Sequence, residues 1–402
     1  MRKRIAFVTD EYPLTLTDAG GLASYVQRMA QLLAALDHQV EVFVSDRRSF
    51  VDEDGPVLVH HVGPAAGGFA LAGRWLGRHR RLRSAGAPWV AAQLDISLGM
   101  AGAVSRRERE LEFERGRGFD FVQSCDLWFR GLFISRAGRP HIIRCSWARD
   151  LFQRVDGVSH NPPNAIFAWL ERLAIRRATA AYAPSEYVSR YYRERFRLDV
   201  GVVRPPFGGL VQEAARPDFL LPPRFLLHFG QVCRRKGSDV LAEALPIAWE
   251  LEPELMMVWA GKDVEGRLPG FQRDWGSRAD NVIAPGAVPR SQLITLIKQA
   301  AASVLPSRCD NLPNTAIESL AAGVPVIGTQ NSSIDELVVH EANGLLVPQE
   351  DPAALAAAMV RLWRFDLVPD ARALPKGPTL ARMAPDAAAA ALLFFAASVA
   401  SR

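Results

Sequence analysis

Asp310 and Glu318 stand eight positions apart in CDNLPNTAIESLAAGVPVIG (309–328), on either side of a helix start. Pro313 suits the first turn, Ala316, Ile317, Leu320 and Ala321 supply an apolar face, and Gly323 ends the helix. The free backbone N–H groups near Asn314 and Thr315, at the positive end of the helix dipole, then form a ready site for a phosphate-bearing ligand. Carboxylates flanking such an anion have the hydroxyls around it as natural partners, and sugars offer such hydroxyls. Earlier in the same half, FGQVCRRKGSD (229–239) follows a strand, and its Arg234, Arg235 and Lys236 could neutralise a diphosphate at the carboxyl edge of a sheet. Alone this loop reads equally well as a solvated turn; combined with the acid pair it outlines a nucleotide-diphosphate-sugar site. The lysines are Lys3, Lys236, Lys262, Lys298 and Lys376 in a chain that otherwise uses arginine, so the compact ammonium at 236 draws attention.

Two segments could position these groups, each a strand, a glycine-bearing loop and an amphipathic helix. The first is RIAFVTD (4–10), Gly20-Gly21 and LASYVQRMAQLLAAL (22–36); the second is RFLLHFGQ (224–231), VCRRKGS and DVLAEALPIAWEL (239–251). Further buried strand patterns follow both, at 39–45, 57–62, 119–124, 141–145 and 180–185, then at 255–261, 281–286, 302–307 and 325–329. The alternation predicts two parallel α/β domains in series. The proline and glycine run VVRPPFGGL (202–210) places the boundary, giving domains over 1–205 and 206–385 and a last helix over 386–402 able to pack on either domain, including back on the N-terminal one. Residues 63–118 show weak periodicity and predict no clear element. Ser333 and Glu336 have capping-box spacing, which by itself would explain both.

The composition narrows the class. The chain has 402 residues, a formal charge of +5 and no basic tail, so nucleic acid is not an expected partner. GRWLGRHRRLR (73–83) is the local exception, read as a solvated surface segment or as a contact for an anionic lipid or phosphorylated acceptor. Cys125, Cys145, Cys233 and Cys309 are scattered, indicating neither a zinc site nor a disulfide framework, and a reducing cytoplasm is the expected compartment. The start MRKRIAFVTD lacks the apolar core of a signal peptide, and the apolar run 387–397 is too short to span a bilayer, so a soluble or peripheral chain is expected. His60, His61, His141 and His228 read as structural histidines. No Asp-x-Asp suggests a metal site, and no G-x-G-x-x-G follows either strand as a dinucleotide oxidoreductase would need.

Taken together these motifs resemble the retaining glycosyltransferases of the GT-B fold, family 4, over residues 1 to about 350. DNLPNTAIESLAAGVPVIG resembles that family's E-x7-E motif with Asp in first place, GQVCRRKG its phosphate loop, and NGLLVP (343–348) its closing segment. LDHQVEVFV (36–44) resembles the GHEV strand and ERLAIRRATAAYAPSEYV (171–188) the family's helix and strand before the boundary. The resemblance implies two Rossmann-like, doubly wound parallel-sheet domains facing a cleft, the first on the acceptor side and the second binding a nucleotide sugar. It implies Lys236 on the donor diphosphate, Asp310 on the transferred sugar and Glu318 on the ribose, with donor contacts from Gly20, Gly21, Gln231, Arg235, Asn314 and Thr315. Gln231 stands where the family has a phosphate-binding arginine, and Ser146 where it has a histidine; Arg144, Ser146 and Asp150 are the candidates for sugar or acceptor binding in its place. The implied activity is metal- and cofactor-free transfer to a carbohydrate or lipid-linked glycan in bacterial surface polysaccharide or lipopolysaccharide assembly, with peripheral contact to the inner membrane face. The alternatives are a nucleotide-sugar epimerase or hydrolase and a non-catalytic binding scaffold.

Overall fold

The computed structural model describes residues 2–13, 20–65, 87–134, 139–158, 162–210, 213–364 and 378–400. The basic segment 73–83 lies outside the described residues. The chain divides into two compact units: residues 1–153, 158–206 and 385–402 form the first, and 154–157 with 207–384 form the second.

The first unit runs β1 (Arg4–Thr9), α1 (Gly21–Ala35), β2 (Gln39–Ser45), β3 (Phe50–Asp54), β4 (Val57–Val62), α2 (Ala87–Arg115), β5 (Phe121–Cys125), β6 (His141–Arg144), α3 (Arg149–Val155), α4 (Pro162–Arg177), β7 (Ala180–Ala183), α5 (Glu186–Phe196) and β8 (Val200–Val202). Its eight strands are ordered β3-β4-β2-β1-β5-β6-β7-β8, all parallel except the β3 edge. β1 is buried along its whole length, as a central strand covered on both faces must be. α1 lays Tyr25, Val26, Met29 and Leu33 on the core.

The second unit runs β9 (Leu226–Phe229), α6 (Ser238–Leu251), β10 (Met257–Ala260), α7 (Leu268–Trp275), β11 (Val282–Gly286), α8 (Arg290–Gln299), β12 (Ala302–Leu305), α9 (Asn314–Ala321), β13 (Val326–Thr329), β14 (Gly344–Val347), α10 (Pro352–Trp363) and α11 (Pro378–Ala381). Its six parallel strands are ordered β11-β10-β9-β12-β13-β14. Counted from β9 this is the doubly wound order 3-2-1-4-5-6, whose direction reverses between β9 and β12 and opens a crevice outside their carboxyl ends. α12 (Pro385–Ala400) closes the chain and inserts Ala388, Ala389, Leu392, Ala396 and Val399 into the core of the first unit.

Four features depart from the sequence reading. The edge hairpin strand β3 precedes the weakly periodic stretch, and the long helix α2 lies within that stretch. The short strand β8 adds an edge where the boundary loop begins. The Ser333–Glu336 capping box does not form: Ser333 has φ 71°, a short 3-10 turn follows, and the Ser333 hydroxyl accepts from the Leu312 amide at 3.0 Å. The serine is used to hold the loop before α9, a long-range demand that outweighs the local cap. No helix among the described residues is long and apolar enough to cross a membrane.

Candidate functional site

The loops after β9 and β12 flank the reversal point of the second sheet. The first turns through Arg234–Lys236, where the Lys236 amide donates to Cys233 O at 3.1 Å and the Gly237 amide to Arg234 O at 2.9 Å. Gly237 has φ 69°, and a Cβ there would collide with the carbonyl of Pro306 in the second loop. The two loops therefore touch backbone to backbone, with the Arg308 amide donating to Arg235 O at 2.9 Å.

That contact brings Lys236 to Asp310, and its Nζ pairs with Asp310 Oδ2. Both side chains are only partly exposed, so the pair is screened less than a surface ion pair. The Asp310 amide is fixed to Ser332 O at 3.0 Å. α9 starts directly afterwards, behind Pro313, and the amides of Asn314, Thr315 and Ala316 have no hydrogen-bond partner among the described residues. The methyl of Thr315 faces Gly230 at the end of β9, 3.8 Å from where a Cβ would stand. One ammonium, one carboxylate and three open helix amides thus gather at one sheet edge, able to receive a diphosphate and the hydroxyls beside it.

Glu318 lies one turn into α9, its side chain 5% exposed, and both its oxygens accept from the Arg290 guanidinium at 2.7 Å. Arg290 is the first residue of α8 and its side chain is 37% exposed. Gln231 is exposed. Arg235 is turned to Asp156, Nε to Oδ2 at 3.4 Å, and Arg234 to the carbonyl of Val155 at 3.1 Å. Arg308 ties the Arg234–Lys236 turn to Asp239 and Glu350.

The remaining sequence candidates lie in the first unit. Gly20 precedes α1 as its cap residue, and Gly21 is its first residue. Arg144 ends β6, with its guanidinium 3.9 Å over the Tyr25 ring and Nη1 donating to Ser146 Oγ at 2.5 Å. Its buried Nε has no partner among the described residues. Asp150 is paired with Arg172. Behind them, Asp126 follows β5 and accepts the amides of Ser146 at 2.7 Å, Trp147 at 3.2 Å and Ala148 at 3.3 Å. Burial pushes its carboxyl up, and the three amides oppose that shift.

Sequence reasoning missed Arg290, Arg308 and Asp126. Arg290 had a signal: a cation at the first position of a helix opposes the dipole and calls for an acidic partner. Asp126 and Arg308 each follow a strand at a carboxyl edge, a weaker cue.

A family model described as glycosyl transferases group 1 matches residues 223–364, and one described as glycosyl transferase 4-like domain matches residues 20–208. The amylovoran biosynthesis glycosyltransferase AmsK of Erwinia amylovora is 25% identical over 292 residues, covering 70% of this chain and 64% of that protein, so the chain spans just under two thirds of its length. The D-inositol 3-phosphate glycosyltransferase of Streptomyces avermitilis is 26% identical over 379 residues, 85% of this chain and 75% of that one. Among solved structures, sucrose-phosphate synthase from Thermosynechococcus elongatus superposes with a TM-score of 0.69 at 19% identity over 99% of both chains. HepE of Anabaena, in complex with UDP and glucose, gives 0.66 at 16% identity over 99% of this chain and 100% of that one. At such identities the likeness shows the fold, two parallel-sheet α/β domains of the GT-B type.

Proposed function

The chain belongs to the group 1 glycosyltransferases, and from that premise we propose that it moves a sugar, with retention of anomeric configuration, from a nucleotide-diphosphate donor to a hydroxyl of a carbohydrate or lipid-linked glycan. The observation that carries the reading is the Lys236–Asp310 pair beside the open amides of α9, at the reversal point of the second sheet.

In this reading the diphosphate lies against Lys236 Nζ and the amides of Asn314 and Thr315, which stabilise the negative charge that grows as the bond to the anomeric carbon breaks. Asp310 accepts from hydroxyls of the transferred sugar. Glu318 accepts from the ribose diol through the lone pairs that Arg290 leaves open, since a carboxylate has about four such positions and the guanidinium takes two. The acceptor oxygen forms its bond on the face the diphosphate leaves, and its proton passes to the departing phosphate oxygen. No side-chain base is needed, and Lys236 with the helix amides performs the neutralisation that a metal performs elsewhere.

In the first unit, the backbone at Gly20 and Gly21 is proposed to face donor phosphate. Arg144 and Ser146 are proposed as polar partners for sugar or acceptor, while Asp150 is held by Arg172. In the second unit, Gln231 and Arg235 are proposed at the rim of the donor pocket. A role in surface polysaccharide assembly, on the inner face of the membrane, is proposed as the setting; the relative named as an amylovoran biosynthesis glycosyltransferase supports its biosynthetic part.

The test is turnover of UDP-, GDP-, ADP- and dTDP-sugars with glycan acceptors, with the product's anomeric configuration read by NMR. Transfer with the donor's configuration retained supports the reading. An inverted product, or free sugar released equally with and without acceptor, overturns it.

A further inference from the structure

Arg308 is buried, its side chain 7% exposed, and lies in the loop after β12 that carries Asp310, against the loop that carries Lys236. A guanidinium has five N–H donors, and here each has an acceptor. Nε donates to Glu350 Oε1 and Nη2 to Glu350 Oε2 at 2.7 Å. Nη1 and Nη2 donate to the two oxygens of Asp239 at 2.6 and 3.0 Å, and Nη1 donates also to the carbonyl of Arg234. The acceptors come from three places along the carboxyl edge: the turn after β9, the first turn of α6, and the segment after β14. The Arg308 amide adds the bond to Arg235 O at 2.9 Å. Two consecutive carbonyls of the turn that presents Lys236 are therefore held by one residue, two positions before Asp310.

We propose that Arg308 is the positioning residue of the donor diphosphate subsite: it fixes the Arg234–Lys236 turn against the 308–310 segment, so that the ammonium and the carboxylate are in register before donor arrives. The proposal rests on the reading of Lys236 as the diphosphate-binding group. Arg308 is not assigned a ligand contact; two acidic residues and the Arg234 carbonyl consume its guanidinium donors. Its effect is preorganisation, which lowers the ordering cost that binding would otherwise carry. Lysine, with three donors on a single nitrogen, cannot span two carboxylates and a carbonyl in one plane.

The test separates phosphate recognition from general damage by using ligand pairs that differ only in the diphosphate. Uridine and UDP, guanosine and GDP, and adenosine and ADP are titrated into the full chain as wild type, Arg308→Lys, Glu350→Gln and Lys236→Ala. Glu350 is 55% exposed, so its variant keeps the fold if Arg308→Lys does not. Arg308→Lys is expected to weaken the preferred nucleoside diphosphate about tenfold, the scale of one charged hydrogen bond, and leave the nucleoside unchanged; Glu350→Gln should do the same about threefold. Wild-type affinity for the diphosphate, or equal losses for nucleoside and diphosphate, in whichever variant folds, overturns the proposal. Lys236→Ala reports separately: if it binds diphosphate as wild type does, the reading of the site fails, whereas a loss there without a loss on changing Arg308 removes only the positioning role.

Discussion

At the scale of single residues, the candidate site is a set of charges that satisfy one another. Lys236 and Asp310 stand out in the sequence by residue type and loop position, and the structure pairs them. Arg290 and Arg308 do not stand out, because a lone arginine in a sequence rich in arginine has no pattern until its acidic partners are brought near. Arg290 gives a direct check. Arg290→Ala leaves the Glu318 carboxylate, 5% exposed, without its counter-ion. Breaking a fully buried pair costs about 3–5 kcal/mol, but water can reach the place of a side chain 37% exposed, so a loss of about 1–2 kcal/mol is expected. Denaturant unfolding measures it, and a variant as stable as wild type would mean the pair contributes nothing.

At the scale of elements, strands were the most legible parts, since central parallel strands read as continuous apolar runs. α2 was hidden for a physical reason: its buried positions include Asp95, Ser97 and Gly99, which break the apolar stripe on which helix recognition depends. The β9–β12 junction, where the second sheet reverses, is also tied by a side chain. His228 on β9 is buried and its Nδ1–H donates to Val304 O on β12 at 2.8 Å. Desolvation pushes its pKa down to about 4; the bond to Val304 opposes the shift and Lys236 adds to it. The unfolded chain therefore takes up a proton near pH 6.5 that the folded chain refuses until about pH 4. Stability from this group is complete above 6.5 and is lost as pH falls towards 4, by about 3 kcal/mol at most. His228→Gln is expected to flatten that part of the pH profile in denaturant titrations between pH 4.5 and 7, and an unchanged slope would place the acid sensitivity elsewhere.

At the scale of the molecule, two doubly wound sheets and their order of elements were readable because each half repeats strand, glycine loop and helix. The partner of α12 was not, since its alanine-rich surface offers no directional signal; in the structure its alanines and Leu392 join the core of the first unit. The family matches span residues 20–208 and 223–364, whereas the proposed donor chemistry turns on one ammonium at one sheet edge. The most direct measurement is calorimetric titration of UDP-, GDP-, ADP- and dTDP-sugars into wild type and Lys236→Ala. Wild type should bind at least one donor, and the variant should bind that donor about a hundredfold more weakly, as expected when a charged contact to a desolvated phosphate is removed. Equal affinity of the two proteins for every donor that binds would contradict the claim.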